Sequence, residues 1–103
     1  MANVRLSKLA YQDLEQIDAY TVTRWGLHQA DRYVRELSDR FVQLADNPEL
    51  GRARDELREG VRSLPADKHI IFYKCLDGDV FVLRILHHRR DPASALDMPG
   101  TNA

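Results

Sequence analysis

The chain is predicted to be an α+β domain of order β-α-α-β-β-β, with a helical hairpin packed on one face of a small antiparallel sheet. Three observations lead there. Two dense apolar runs, His69–Leu76 and residues 80–87, are joined by Asp77-Gly78. Two earlier stretches carry apolar stripes at helical spacing, with a single glycine, Gly26, between them. Apart from one short strand at the start, the helices precede the strands rather than alternating with them, which separates α+β from parallel α/β folds.

Taking the elements in order, Asn3-Val4-Arg5-Leu6 alternates polar and apolar and predicts a strand over residues 2–6. Ser7 suits an N-cap, where its hydroxyl meets a free N–H of the first turn. Ala10, Leu14, Ile17, Thr21 and Trp25 then recur at spacings of four, three, four and four. They form one stripe of a helix, with Asp13, Glu15, Gln16 and Asp18 largely off it. Gly26 supplies a left-handed residue to end this helix. A second stripe follows at once: Leu27, Ala30, Val34, Leu37, Phe41 and Leu44, stopped by Asn47-Pro48. Residues 49–59 are a charged connection anchored by Leu50 and Leu57. Residues 61–64 make a short strand that Pro65 marks as an edge or a strand end. Asp67-Lys68 turns into the main hairpin, and Pro92–Leu96 permits one helical turn. The predicted domain is residues 1–96, with residues 97–103 as a flexible tail.

The Asp-Gly turn sets the register of the main hairpin, because a type I′ turn needs positive φ at both central residues. Counting back from Leu76 opposite Asp79 pairs Tyr73 with Val82, Phe72 with Leu83, Ile71 with Arg84 and Ile70 with Ile85. One face then carries Ile70, Phe72, Lys74, Phe81, Leu83, Ile85 and His87. The other carries His69, Ile71, Tyr73, Cys75, Val80, Val82, Arg84 and Leu86. Both are largely apolar, whereas a sheet with one wet face alternates cleanly. The helical hairpin is expected on the face of Phe72, Phe81, Leu83 and Ile85. Either the 50–57 connection and the tail fold across the other face, or a partner does; its size favours a partner.

Composition narrows the function classes. The chain has 103 residues, enough for one modest core. Net charge is −1, so no bulk electrostatic case for nucleic-acid binding exists. The single cysteine, Cys75, rules out an intrachain disulfide and makes a cysteine zinc site untenable. The N-terminus lacks the apolar core of a signal peptide, and no run approaches the ~18 apolar residues of a membrane span. A cytoplasmic protein is expected. There is no glycine-rich phosphate loop, His87-His88 lack the spacing of a metal-binding helix, and none of the four serines is marked as activated. No cofactor or metal is predicted. Trp25 and Tyr33 are assigned to packing rather than to base stacking.

The chain resembles the ParE toxins of the RelE/ParE superfamily, the toxin halves of bacterial type II toxin–antitoxin modules. The likeness begins with Arg5-Leu6-Ser7, Ala10, Asp13-Leu14 and Ile17, then Tyr20, Arg24-Trp25-Gly26, Ala30 and Tyr33. It continues through Leu44, Asn47-Pro48, Gly51-Arg52, Leu57-Arg58 and Gly60-Val61-Arg62. It closes with residues 69–73, Arg84-Ile85-Leu86-His87 and Arg90-Asp91-Pro92, so it runs from residue 4 to about 96. The resemblance implies a role in plasmid stabilisation, a ParD-like antitoxin in a hetero-oligomeric complex, and DNA gyrase as the target of the free toxin.

On that reading the face thought uncovered takes the antitoxin through Ile71, Tyr73, Val80, Val82, Arg84 and Leu86, with Arg58 and Arg62 at its rim. Val82→Asp is then expected to abolish the complex and spare the fold. His87, His88, Arg89 and Arg90 form a short basic arm suited to a large acidic or nucleoprotein target. No catalytic residue is expected. The alternative is a ribosome-dependent mRNA endonuclease of the RelE type, for which Arg62, Arg84 and His87 are the candidate catalytic residues, with Glu56 or Glu59 as a base. Against it, the nuclease relatives commonly carry a tyrosine just after the last strand and a lysine-rich surface. This chain has His88-Arg89-Arg90 there and three lysines in all: Lys8, Lys68 and Lys74. His87 and His88 are expected on opposite faces. Arg84, a lone charge on an apolar strand, is better explained by an ion pair, with an antitoxin carboxylate or a local acid.

Overall fold

The computed structural model describes residues 2–96; the predicted tail lies outside the described residues. Strand β1 (Val4–Leu6) leads into helices α1 (Lys8–Trp25) and α2 (Leu27–Asp46). Strands β2 (Arg52–Ala53), β3 (Val61–Ala66), β4 (His69–Leu76) and β5 (Asp79–His87) follow, and a short helix α3 (Pro92–Leu96) closes the described chain. The strands form one sheet in the order β1-β5-β4-β3-β2. β1 runs parallel to β5, and every other pair is antiparallel. The α+β class and the helical hairpin are as the sequence indicates. The two-residue strand β2 is an addition, read as part of a charged connection.

Local chemistry explains the boundaries. Ser7 is extended and accepts the Ala10 N–H at 3.0 Å, the expected N-cap. Gly26, at φ 92°, ends α1 and opens α2, a conformation that a side chain would strain. Asp77 (φ 51°) and Gly78 (φ 81°) both occupy the positive-φ region that a type I′ hairpin turn requires.

The register of the main hairpin departs from the prediction in one place. Leu76 to Tyr73 pair with Asp79 to Val82 as counted, but Phe72 then faces Arg84, not Leu83. Leu83 is an extra residue, a β-bulge, and beyond it every β5 side chain changes face. Ile71 therefore pairs with Ile85, and Ile70 with Leu86.

The bulge is held by α1. Its Leu83 carbonyl accepts the Ser7 hydroxyl at 2.7 Å, and the Ile85 N–H donates to Asp13 Oδ2 at 2.9 Å. Arg84 donates to the same carboxylate through Nε at 2.8 Å and Nη2 at 2.9 Å. Asp13 is thus buried, not on the polar side of α1. Arg84 is paired with a local acid, and that carboxylate's hydrogen bonds raise its pKa above the ordinary value. Its Nη1 also reaches the Ala95 carbonyl of α3 at 3.4 Å, so one guanidinium joins both layers.

The core divides between the two sheet faces. Beneath the hairpin, Ile17, Tyr33, Leu37 and Leu44 pack on Ile71, Tyr73, Val80, Val82 and Ile85. On the opposite face Val61, Phe72, Leu83 and Leu86 pack on Ala95 and Leu96 of α3, with Leu57 at the margin. Arg54 adds to this cover, its guanidinium 5.9 Å above the Phe72 ring. The helices therefore lie on the face opposite to the one predicted. The connection and the C-terminal turn, the alternative to a partner, cover the other.

Tyr33 ties α2 to the sheet, with its hydroxyl 2.5 Å from His69 Nδ1 and 3.2 Å from the Ala66 carbonyl. Burial, and then the nearby Asp67 charge, push the phenol up to about 12. Burial, with the nearby His87 second, pushes His69 down from 6.5 to about 4.

Two stability predictions follow from these ties. Asp13→Ala strands a buried guanidinium and should cost about 3–5 kcal/mol in urea unfolding. Replacing the whole pair, as Asp13→Leu with Arg84→Met, should leave a deficit of about 1–3 kcal/mol, because the Ile85 N–H still loses its acceptor. For His69, the unfolded chain takes up a proton near pH 6.5 and the folded chain only near pH 4. The unfolded state binds more protons between those values, so the His69 contribution to stability is full above pH 6.5 and falls as the pH drops toward 4. Unfolding of wild type and His69→Phe measured from pH 7 to 5 should show a steeper loss in wild type.

Candidate functional site

β1 ends at Leu6, opposite Val82, while β5 continues to His87. Beyond the bulge the sheet edge is therefore bordered by α1 rather than by another strand. A groove of about 810 Å³ runs along this border. One wall is the outer part of α1, with Gln16, Tyr20, Arg24 and Trp25. The other is formed by Lys68, His69, residues 85–87 and Arg90. The buried Ile17 and Thr21 lie at its base, next to Ile85.

The rim is aromatic and cationic. Tyr20 is 63% exposed and Trp25 60% exposed, unusual for large aromatic residues. Arg24 and Lys68 lie 5.9 Å and 6.0 Å from the centre of the Trp25 ring, within cation–π range. His69 meets His87 edge-on at 5.5 Å, and His87 stacks on His88 at 4.5 Å. His87 is held below its ordinary pKa by partial loss of water, then by His88, Arg89 and Lys68. The groove's acids are Asp13, already bound to Arg84, and Asp67.

The predicted residues fall in several places. Ile71, Tyr73, Val80 and Val82 are fully buried beneath the helices, and Leu86 and Arg84 are buried as well. The expected uncovered face does not exist as drawn. Val82→Asp would place a charge in the core and cost more than about 4 kcal/mol, so it tests folding, not binding. Arg62 binds the 48–51 loop, donating to the Gly51 carbonyl at 2.7 Å and the Glu49 carbonyl at 3.3 Å. That loop sits against Tyr73, whose hydroxyl accepts the Gly51 N–H and donates to the Pro48 carbonyl, both at 2.8 Å. A Cβ on Gly51 would lie 2.6 Å from that hydroxyl, so only glycine fits. Arg58 reaches the Leu96 carbonyl at 3.1 Å.

His87, His88, Arg89 and Arg90 are all exposed, as a basic arm requires. His87 and His88 share a corner and do not point to opposite faces, because β5 ends at His87 and the chain turns there. Of the arm, His87 and Arg90 also line the groove. The nuclease candidates are not brought together. Arg62 pairs with Tyr73 and His87 with His69, four residues apart on β4, or roughly 13 Å at ~3.3 Å per residue. Among the described residues, no group of three or more His, Cys, Asp or Glu could hold a metal ion, and no helix is long and apolar enough to cross a membrane.

Sequence reasoning missed Tyr20, Arg24, Trp25, Lys68 and His69 as a group. Trp25 continues the apolar stripe of α1 and was read as packing, but at the helix end it lies at the rim of the groove. The adjacency of Arg24 and Trp25 was the available signal, since Trp, Tyr and Arg are over-represented at binding hot spots.

Comparison with known proteins identifies the family and the fold. Residues 4–92 match the family described as ParE toxin of type II toxin-antitoxin system, parDE. Toxin ParE1 of Mycobacterium tuberculosis H37Rv is 45% identical over 87 residues, covering 84% of this chain and 89% of that protein. Toxin ParE1 of Caulobacter vibrioides is 37% identical over 87 residues, with 84% and 90% covered. Among solved structures, a chain of the chromosomal ParDE system from P. aeruginosa superposes with a TM-score of 0.74 at 21% identity, covering 84% of this chain and 96% of that one. A chain of the YoeB–YefM complex from Staphylococcus aureus gives 0.59 at 16% identity, covering 85% and 98%. This chain belongs to the ParE toxin family of type II toxin–antitoxin systems.

Proposed function

We propose that the protein is a cytoplasmic toxin that acts by stoichiometric binding: a ParD-like antitoxin neutralises it, and the free toxin inhibits DNA gyrase. The observation that carries the binding reading is the fate of the residues a nuclease would need. Arg84 is locked in a buried pair with Asp13, Arg62 is bound to loop carbonyls, and His87 lies at the far end of the sheet from Arg62. General acid–base cleavage needs such groups within hydrogen-bond reach of one phosphate. The exposed groups at the groove and the 87–90 corner are instead aromatic and cationic, the chemistry of a contact surface. An antitoxin partner is supported by relatives that come from toxin–antitoxin pairs, the ParDE system of P. aeruginosa and the YoeB–YefM complex of S. aureus. Gyrase as target rests on the ParE family resemblance.

Purified toxin should inhibit gyrase supercoiling or trap cleaved DNA with the enzyme, and leave mRNA on programmed ribosomes intact. Arg89→Glu with Arg90→Glu should weaken the effect at least ~10-fold, about 1.4 kcal/mol, whereas His87→Ala should weaken it only a few-fold. Codon-specific cuts in ribosome-bound mRNA, lost in His87→Ala, would instead establish the nuclease.

A further inference from the structure

We propose that the chain pairs with a second copy of itself about a two-fold axis at the β3–β4 turn, with the cationic groove of each copy set against an acidic groove of the other. Charge placement carries this pairing, independently of the toxin function. Tyr33 and Asp67 line two grooves at once and form the seam between them. In the groove beside α1, Arg24, Lys68 and Arg90 are exposed, and Asp13 is matched by Arg84. Beyond the seam a second groove of about 490 Å³ runs against α2. There Glu36 and Asp39 are exposed, and the one cation, Arg40, donates to Gln43 at 3.0 Å. Among the described residues, none of Arg24, Lys68, Arg90, Glu36, Asp39 and Asp67 is in a salt bridge.

Adjacent patches of opposite sign are self-complementary. A two-fold axis through the seam lays the positive patch of each copy on the negative patch of the other, so the same contact is made twice. A small anion would match only the cations and leave Glu36 and Asp39 without counter-charges. A second copy matches both sets, and lets Asp67 of each meet Lys68 of the other. Each copy carries a net charge of only −1, so bulk repulsion between them is slight. Trp25 in the groove wall and Leu27 just beyond it, 60% and 77% exposed, add apolar area to the contact.

The test is sedimentation of the purified full-length chain at rising concentration, in ~0.1 M and ~1 M salt, which shortens the Debye length from ~10 to ~3 Å. The 11.9 kDa chain should pass to twice its mass in the lower salt and return to monomer in the higher. Glu36→Lys with Asp39→Lys makes both grooves positive, and Arg24→Glu with Lys68→Glu makes both negative. Each variant alone should lose at least ~10-fold in self-affinity. Mixed in equal amounts they should restore the pair, because each groove then meets its opposite. Should a reversal unfold, as circular dichroism would show, Glu36→Gln with Asp39→Asn keeps the side-chain shapes and should still weaken the pair. A wild-type chain that stays monomeric up to ~1 mM in the lower salt would overturn the proposal. So would a pair that survives both reversals, or folded reversals that fail to rescue each other. Growth past the two-copy mass would overturn the two-fold pairing in favour of an open head-to-tail chain.

Discussion

The fold turns on a single inserted residue and the carboxylate that accommodates it. Leu83 interrupts the β4–β5 ladder, and past Val82 no strand bonds the outer edge of β5, because β1 stops at Leu6. Ser7 and Asp13 of α1 do so, one accepting from its own helix while donating to the bulge, the other taking the Ile85 N–H together with Nε and Nη2 of Arg84. A buried ion pair by itself is weak evidence of stability, since desolvation offsets much of the attraction. Here the carboxylate also accepts the Ile85 backbone N–H, so the pair fixes where α1 sits on the sheet.

The bulge also decides what each face of the sheet does. Before it, Val80 and Val82 face the helices; after it, Ile85 does so and Leu86 turns to the other side. Without the extra residue, Arg84 would enter the hairpin-covered core and Ile85 would leave it. With it, Arg84 lies opposite Phe72 on the second face, where α3 packs, and still reaches Asp13 at the edge. Arg58 and Arg84 donate to the last described carbonyls of α3, groups that a short helix leaves unpaired. The small second core, from Val61 to Leu96, is thus closed by two arginines, one from the charged connection and one from β5.

Much of this was legible in the sequence, and the failures have one origin. Ser7, Gly26, Asn47-Pro48 and Asp77-Gly78 punctuate the chain through local backbone chemistry, which acts over a few residues and reads directly. The apolar stripes located both helices for the same reason. The register counted back from Asp77-Gly78 held for four pairs and then slipped at Leu83. No local signal marks that bulge, because its partners, Ser7 and Asp13, lie more than 70 positions away. One slip inverts the face of every later residue, so Ile85 and Leu86 were exchanged. The choice of which face the helices cover failed separately, because two apolar faces offer periodicity no contrast. The antitoxin surface assigned to Tyr73 and Val82 fell with that choice. The 87–90 arm depended on no register, and the structure does place it at an exposed corner.

Net charge also misleads in a way the structure makes plain. The chain holds 15 lysines and arginines against 16 acids, which on its face offers no partner any electrostatic purchase. Position separates these groups by task. Arg54, Arg58, Arg62 and Arg84 are bound to carbonyls, a hydroxyl or carboxylates of the chain itself. They close loops and the second core, and their charge is largely committed within the fold. Arg24, Lys68 and Arg90 line an open groove beside exposed aromatic rings. Charges at an exposed site act on encounter rates and on the choice of partner more than on folding. A few cations and two exposed aromatic rings, set on a scaffold whose other arginines are committed to the chain's own carbonyls and carboxylates, can therefore be altered without disturbing the fold.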